Sequence, residues 1–202
     1  MSSSPVTAAA AASALVWNNL VAPAVTSSPR SRAAANAVVA VVSTCAARRL
    51  GVRDLGLNGR GFRVGAAAAS IPLAAYAVVG AVPALRTRFV GPPEDAPLEW
   101  VLFRIPVGTV VTEELIFRSV LHSLSRSTFG PRWSPAFDSI VFGLWHWRVA
   151  NGSLPAIAFT GASALVFDGL RQRGGGVVAP AMFHYAVNGG GAVLRSWVHR
   201  GA

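Results

Sequence analysis

Three apolar segments of the chain carry polar residues at a spacing of about one helical turn. The motifs are Glu113-Glu114-x-x-x-Arg118, Phe142-x-x-x-His146 and His184-x-x-x-Asn188. Ionisable residues are costly in membrane-spanning segments, so those that occur there usually have a function. Carboxylate, imidazole and amide groups from three segments suit the activation of a water molecule and the hydrolysis of a peptide bond.

The polar residues of these motifs are predicted to lie at a similar depth in a helical bundle. At about 1.5 Å rise per residue, Glu113, His146 and His184 lie roughly 18, 15 and 10 Å along their helices from the same face of the bundle. Polar residues with unrelated structural roles would not be expected to lie at the same depth in the bundle. The spacing therefore predicts that these side chains converge if the helices pack together.

The two adjacent glutamates are predicted to have different roles. Neighbouring residues point about 100° apart on a helix, so Glu113 and Glu114 cannot face one pocket equally. Glu114 and Arg118 have the i, i+4 spacing of an intrahelical ion pair, and an arginine in an apolar span needs such a partner. We therefore expect Glu114 to brace Arg118 and Glu113 to act as a general base.

Two mechanisms fit this set of residues, and the spacing does not separate them. In the first, Glu113, His146 and His184 bind a zinc ion that polarises water. In the second, Glu113 and His146 activate the water directly, while His184 and Asn188 stabilise the oxyanion of the tetrahedral intermediate. The His-Glu-x-x-His helix of many zinc proteases does not occur in the sequence.

The composition is typical of an integral membrane protein. The 202 residues are 52% hydrophobic and only 13% charged, whereas soluble domains contain about 25% charged residues. Pro and Gly breaks separate seven apolar runs, at 8–25, 33–47, 64–85, 98–122, 134–150, 154–170 and 177–194. We expect an all-α, polytopic bundle of about six or seven transmembrane helices, because lipid requires internal backbone hydrogen bonds.

The chain is expected to form one membrane-embedded domain over residues 1–202. Its motif-bearing core covers about 48–194, and residues 1–32 contain an apolar segment that either spans the membrane or lies at its surface. The sequence does not indicate an oligomeric state.

The positive charge of the chain is expected to face lipid headgroups. The net charge is +10, and its arginines lie mostly between the apolar runs. That distribution indicates contacts with anionic membrane lipids and not with nucleic acid. The arginine-rich loop 48–63 predicts the cytoplasmic face of a multi-pass plasma-membrane protein.

The three motifs resemble those of a known family. In order and in context they are similar to the CAAX-processing and bacteriocin-processing (CPBP, or Abi) intramembrane proteases, and the loop Asp54-Leu55-Gly56-Leu57 resembles a loop of that family. The similarity covers roughly residues 48–194. It implies an all-helical membrane fold, an active site open to the cytoplasmic side, and an endopeptidase similar to the type II CAAX prenyl endopeptidases.

The resemblance also implies roles for particular residues. It implies a catalytic set of Glu113, His146, His184 and Asn188, with supporting positions for Glu114, Arg118 and Phe142. The substrate would be a peptide or protein. Members of the family are described both as zinc-dependent and as glutamate-dependent. The resemblance therefore leaves open whether Glu113, His146 and His184 bind a zinc ion.

Two functions from other classes fit the same sequence. A non-catalytic membrane protein of this fold would bind peptides, as an immunity-type factor does. A small transporter would use Glu113 and His184 as a proton relay. An internal repeat would favour the transporter, and the sequence has none.

Three further ionisable residues have no motif around them. We expect His122 at the surface or at an interface, Asp138 near a helix start and Asp168 near a helix end. Each is therefore predicted to have a structural role.

Overall fold

The computed structural model describes residues 3–89 and 96–200, and these residues form an all-helical protein. Seven main helices make up this part of the chain. They are α1 (Ser3–Val16, continued by Trp17–Val21 and Ala22–Val25), α2 (Pro29–Arg49), α3 (Phe62–Ala81), α4 (97–129), α5 (131–145), α6 (Leu154–Gly174) and α7 (Val178–Arg200). Two short helical turns, Pro83–Arg86 and Thr87–Phe89, follow α3. The predicted all-α class is confirmed.

The helix boundaries follow the breaks that the sequence predicts. Ser28 caps α2 through a capping box with Ser31, and Pro29 occupies the first turn. Gly130 has φ 71° and ψ 176°, so it interrupts the helical stretch His122–Trp145 and separates α4 from α5.

One predicted run is longer than the helix that forms. The apolar run 134–150 continues past Trp145, but α5 ends there and residues 146–152 form turns. The backbone of His146 has φ −90° and ψ 7°, which is outside the helical region. His146 therefore lies at the end of its helix and not inside it, which corrects the predicted extent of this helix.

Helix α4 contains two π-helical segments. They are Trp100–Val111, which includes Pro106, and Glu114–Leu121. Pro106 cannot donate a backbone hydrogen bond, and Thr112 Oγ1 donates to the Val107 carbonyl five residues earlier at 3.0 Å. π-helical turns are rare and occur often at functional sites. Glu113 lies between the two segments.

Close packing of helices sets the positions of the three motifs. Helix α3 packs along α7, and α5 packs along α6. Gly143 and Gly161 let α5 and α6 approach closely, since a Cβ on either would lie 2.8 Å from a carbonyl oxygen of the other helix. The core around the middle of α4 contains Ile116, Phe117, Leu121, Val141, Phe142, Trp145 and Ala164.

An arginine of α6 holds the loop between α2 and α3. Arg171 Nε donates to the Arg118 carbonyl at 2.8 Å, and its Nη2 donates to the Asp54 carbonyl. Ser123 Oγ also donates to the Asp54 carbonyl, at 2.8 Å. These contacts join α4, α6 and the loop at one end of the bundle. The part of α4 that follows Glu114 is therefore held by α6 and by the loop.

Two of the described helices could cross a membrane by length and composition alone. They are Ser4–Val25 and Phe62–Ala81. The predicted number of six or seven transmembrane helices is thus not established by this criterion, and a multi-pass arrangement remains a prediction.

Candidate active site

Side chains from all three motifs meet on the inner faces of α4, α5 and α7. The Glu113 carboxylate faces two imidazoles: its Oε1 lies 3.7 Å from His146 Nε2, and its Oε2 lies 3.8 Å from His184 Nε2. Glu113 and His184 are almost completely buried, and His146 is partly exposed. The prediction that these three side chains lie close together is confirmed.

These groups line a cavity of about 740 Å³. Asn188 lies one turn after His184 and is also in the cavity wall. The remaining wall is largely apolar and includes Phe159, Val166 and Phe183. A mainly apolar cavity with a few convergent polar groups is the usual form of a binding site.

The His184 ring lies between the two adjacent glutamates. Its Nδ1 is 2.8 Å from Glu114 Oε1, while its Nε2 faces Glu113. Because a carboxylate only accepts hydrogen bonds, Nδ1 carries a proton. The expectation that the two glutamates have different roles agrees with this geometry. Glu113 is part of the cavity wall and Glu114 is not, as expected of neighbours that cannot face one pocket equally, although each reaches a nitrogen of the same imidazole.

Replacing Glu114 by glutamine is expected to lower kcat roughly 100-fold, with a smaller effect on KM. Glutamine loses the negative charge beside His184, and when its amide group faces Nδ1 the ring loses the Nδ1–H···O hydrogen bond that orients it. Steady-state kinetics of purified variants measure this effect. Glu99→Gln is the matched control, because Glu99 is partly exposed and pairs with Arg104. An unchanged kcat in Glu114→Gln would show that the contact with His184 does not matter to the reaction.

The His146 ring is oriented by Phe142, four residues earlier. His146 Nδ1 lies 2.9 Å from the Phe142 carbonyl, so Nδ1 donates the hydrogen bond and neutral His146 has a free Nε2 lone pair. The Phe142 ring contacts the imidazole edge-on, with ring centroids 4.7 Å apart. Phe142 therefore positions His146 through both its backbone and its side chain.

Arg118 is completely buried, and it forms the predicted i, i+4 ion pair with Glu114. Its Nη1 is 3.9 Å from Glu114 Oε1, so the two charges are paired without a hydrogen bond. The guanidinium lies between the rings of Phe142 and Phe167, at 4.3 and 4.5 Å from their centroids. Its Nε is also 3.8 Å from Asp168 Oδ1. Arg118 thus contacts residues of α5 and α6 in addition to Glu114.

The motifs did not identify several polar residues near the site. Trp145 Nε1 donates to Glu113 Oε1 at 3.2 Å. Asn18 and Asn36, from α1 and α2, also line the cavity. The only sequence feature that could have pointed to Trp145 is its position next to His146. Asn18 and Asn36 have no motif around them.

The predicted zinc ligands can be tested against the geometry. Their chemistry suits zinc, since both imidazoles direct an Nε2 atom toward Glu113. However, Glu113, His146 and His184 do not offer three donor atoms that all lie within 4.8 Å of one another. Among the described residues one such group occurs, formed by His122, Asp138 and Asp168. The set around Glu113 therefore fits a water molecule and does not fit a shared zinc ion in this arrangement.

Comparison with known proteins gives a family match. Residues 95–190 match the model described as type II CAAX prenyl endopeptidase Rce1-like. This segment is narrower than the predicted similarity over 48–194, but it contains all three motifs. Searches of curated proteins and of solved structures found no match. Over residues 95–190 the chain is therefore similar to the Rce1-like type II CAAX prenyl endopeptidases, which confirms the predicted resemblance.

Proposed function

We propose that this protein is an integral membrane endopeptidase that hydrolyses peptide bonds near the membrane surface. The observation that carries the proposal is the buried Glu113 carboxylate, which faces two imidazole Nε2 atoms in the wall of a 740 Å³ cavity. The family match supports peptide hydrolysis as the reaction. A carboxylate and imidazoles around one cavity are the groups that such a reaction requires.

In the proposed mechanism, Glu113 and His146 bind and activate the attacking water. Their facing atoms are 3.7 Å apart, which is too long for a direct hydrogen bond, and both residues line the cavity, so a water beside the pair can contact both. Glu113 takes a proton as the water oxygen attacks the scissile carbonyl carbon. Glu113 then returns that proton to the leaving nitrogen, so one carboxylate acts first as base and then as acid.

His184 and Asn188 are proposed to stabilise the oxyanion that forms on the carbonyl oxygen. The Glu114 carboxylate accepts from His184 Nδ1 and orients the ring with Nε2 toward Glu113, and a proton on Nε2 would be donated to the oxyanion. Asn188 has an amide that forms no hydrogen bond with the described residues, and it lies in the same cavity wall. Its NH₂ group supplies a second donor.

The proposed location is the plasma membrane, with several spans in contact with lipid. Every main helix exposes at least one large apolar side chain: Leu20, Val42, Ile71, Leu102, Ile140, Phe159 and Val193. Extensive exposed apolar surface marks contact with a membrane or a partner. Extraction of cell membranes at alkaline pH tests this location, since a peripheral protein would be released and an integral one would stay in the pellet.

The proposed substrate class is a peptide or protein whose C-terminal region carries a prenylated cysteine, following the description of the matched family. The test uses the purified full-length protein in proteoliposomes with a fluorogenic peptide that ends in a farnesylated Cys-a-a-X sequence. The control is the same peptide without the farnesyl group. Cleavage of the farnesylated peptide alone would support the substrate class, and equal cleavage of both would support peptide hydrolysis without a prenyl requirement.

The same experiment separates the enzyme from its non-catalytic rival. A peptide-binding protein of this fold would retain the fluorogenic peptide in a binding assay and release no product. Its Glu113 and His146 variants would still complement a deletion strain. The absence of cleavage by the wild-type protein, together with that complementation, would refute the proposed hydrolase.

A further inference from the structure

A second group of ionisable side chains lies deep in the bundle, on the other side of Arg118 from Glu114. It consists of His122 from α4, Asp138 from α5 and Asp168 from α6, all about 97% buried. The sequence predicted a surface or interface position for His122, a helix start for Asp138 and a helix end for Asp168. These predictions were wrong, because α4 continues past His122, and Asp138 and Asp168 lie inside their helices.

The three side chains face one another without forming hydrogen bonds. His122 Nδ1 lies 3.7 Å from Asp168 Oδ1 and 4.0 Å from Asp138 Oδ2. These distances exceed the 2.7–3.2 Å of an N–H···O hydrogen bond. His122 Nδ1, Asp138 Oδ1 and Asp168 Oδ2 have no hydrogen-bond partner. Buried polar atoms are nearly always satisfied, so three unsatisfied atoms in one cluster require an explanation.

The separations suit a single metal ion better than direct contacts. One donor atom from each side chain can be chosen so that all three lie within 4.8 Å of one another. Two ligands about 2 Å from a tetrahedral zinc ion lie roughly 3.3 Å apart. The distances of 3.7 and 4.0 Å from His122 Nδ1 to the two aspartates are close to this separation. Ser125 Oγ donates to Asp138 Oδ2 at 3.0 Å and orients that carboxylate.

The charge of the cluster also favours a divalent cation. The two buried carboxyl groups would supply two negative charges to a bound ion, and Arg118 is 3.8 Å from Asp168 Oδ1 but forms no hydrogen bond with it. Imidazole as a ligand favours zinc or a similar transition-metal ion over magnesium and calcium. Because the three ligands come from three helices, a bound ion would tie α4, α5 and α6 together.

We propose that His122, Asp138 and Asp168 form a structural binding site for a divalent transition-metal ion of the zinc type. The site is separate from the residues proposed to carry the reaction. Asp168 contacts Arg118, and Arg118 contacts Glu114, so the ion would stabilise the helices that position the cavity. The proposal does not depend on the proposed peptide hydrolysis.

The experiment measures metal binding by the full-length protein in detergent. The protein is stripped with a chelator, incubated with ZnCl₂ and desalted, and bound zinc is measured by mass spectrometry. We expect about one zinc per wild-type chain, a rise of several degrees in melting temperature, and loss of both effects in His122→Ala and Asp138→Asn. Asp54→Asn, at an exposed aspartate, is the matched control and should keep the zinc.

Two results would overturn the proposal. One is wild-type protein that retains no zinc. The other is zinc that is lost equally in His146→Ala, which would place the ion at Glu113, His146 and His184. X-ray absorption of the wild-type complex gives an answer even if the variants fail to fold. One imidazole with oxygen ligands supports the proposed site, and two imidazoles contradict it.

Discussion

Replacing Glu113 by glutamine is expected to lower kcat for peptide cleavage by roughly 10²- to 10⁴-fold. Glutamine keeps the size of the side chain and its carbonyl oxygen can still accept from Trp145 Nε1, so the core should stay intact. The amide cannot take a proton from water, which removes general-base catalysis. The measurement is the cleavage rate of the farnesylated peptide by the purified variant in proteoliposomes.

The control for this variant is the same change at an exposed position. Glu99→Gln alters a partly exposed glutamate paired with Arg104 at 2.9 Å, and it should leave the rate unchanged. Melting temperatures of both variants show whether the protein is folded. A Glu113→Gln protein that melts like the wild type and cleaves within about threefold of its rate would rule out Glu113 as the general base.

Replacing Arg118 by methionine is expected to destabilise the protein by about 3–5 kcal/mol. The guanidinium is fully buried between two phenylalanine rings and lies 3.9 Å from Glu114 and 3.8 Å from Asp168. Its removal takes away the permanent positive charge beside these two buried carboxyl groups. For a chain of this length the melting temperature should fall by roughly 6–20 °C. Thermal unfolding of the purified protein in detergent, followed by its helical signal, measures the effect.

Two further variants make this prediction specific. Arg104→Met removes a partly exposed arginine with one ion pair, which is worth less than about 1 kcal/mol. Arg118→Lys keeps the charge but loses the planar group between Phe142 and Phe167, so its stability should lie between those of the wild type and Arg118→Met. If Arg118→Met melts at the wild-type temperature, the charge of Arg118 does not stabilise the fold.

The sequence alone predicted which residues would meet. The i, i+4 spacings within 113–118, 142–146 and 184–188 set which side chains share a helix face, and Pro and Gly set where the helices begin and end. Local spacing is enough for such predictions, because the helical repeat is the same in every helix. The all-α class and the family followed from the same local information.

Only the tertiary structure decided the partners of those residues. Glu114 lies closer to His184, at 2.8 Å, than to Arg118, at 3.9 Å. The rotation of α7 against α4 brings the imidazole to this position. His122, Asp138 and Asp168 meet although no motif connects them, since each comes from a different helix. Such contacts depend on how helices cross and rotate when their side chains interlock, and a single helix does not encode that arrangement. The sequence therefore determined the chemistry available at the site, and packing between helices determined which groups act on one another.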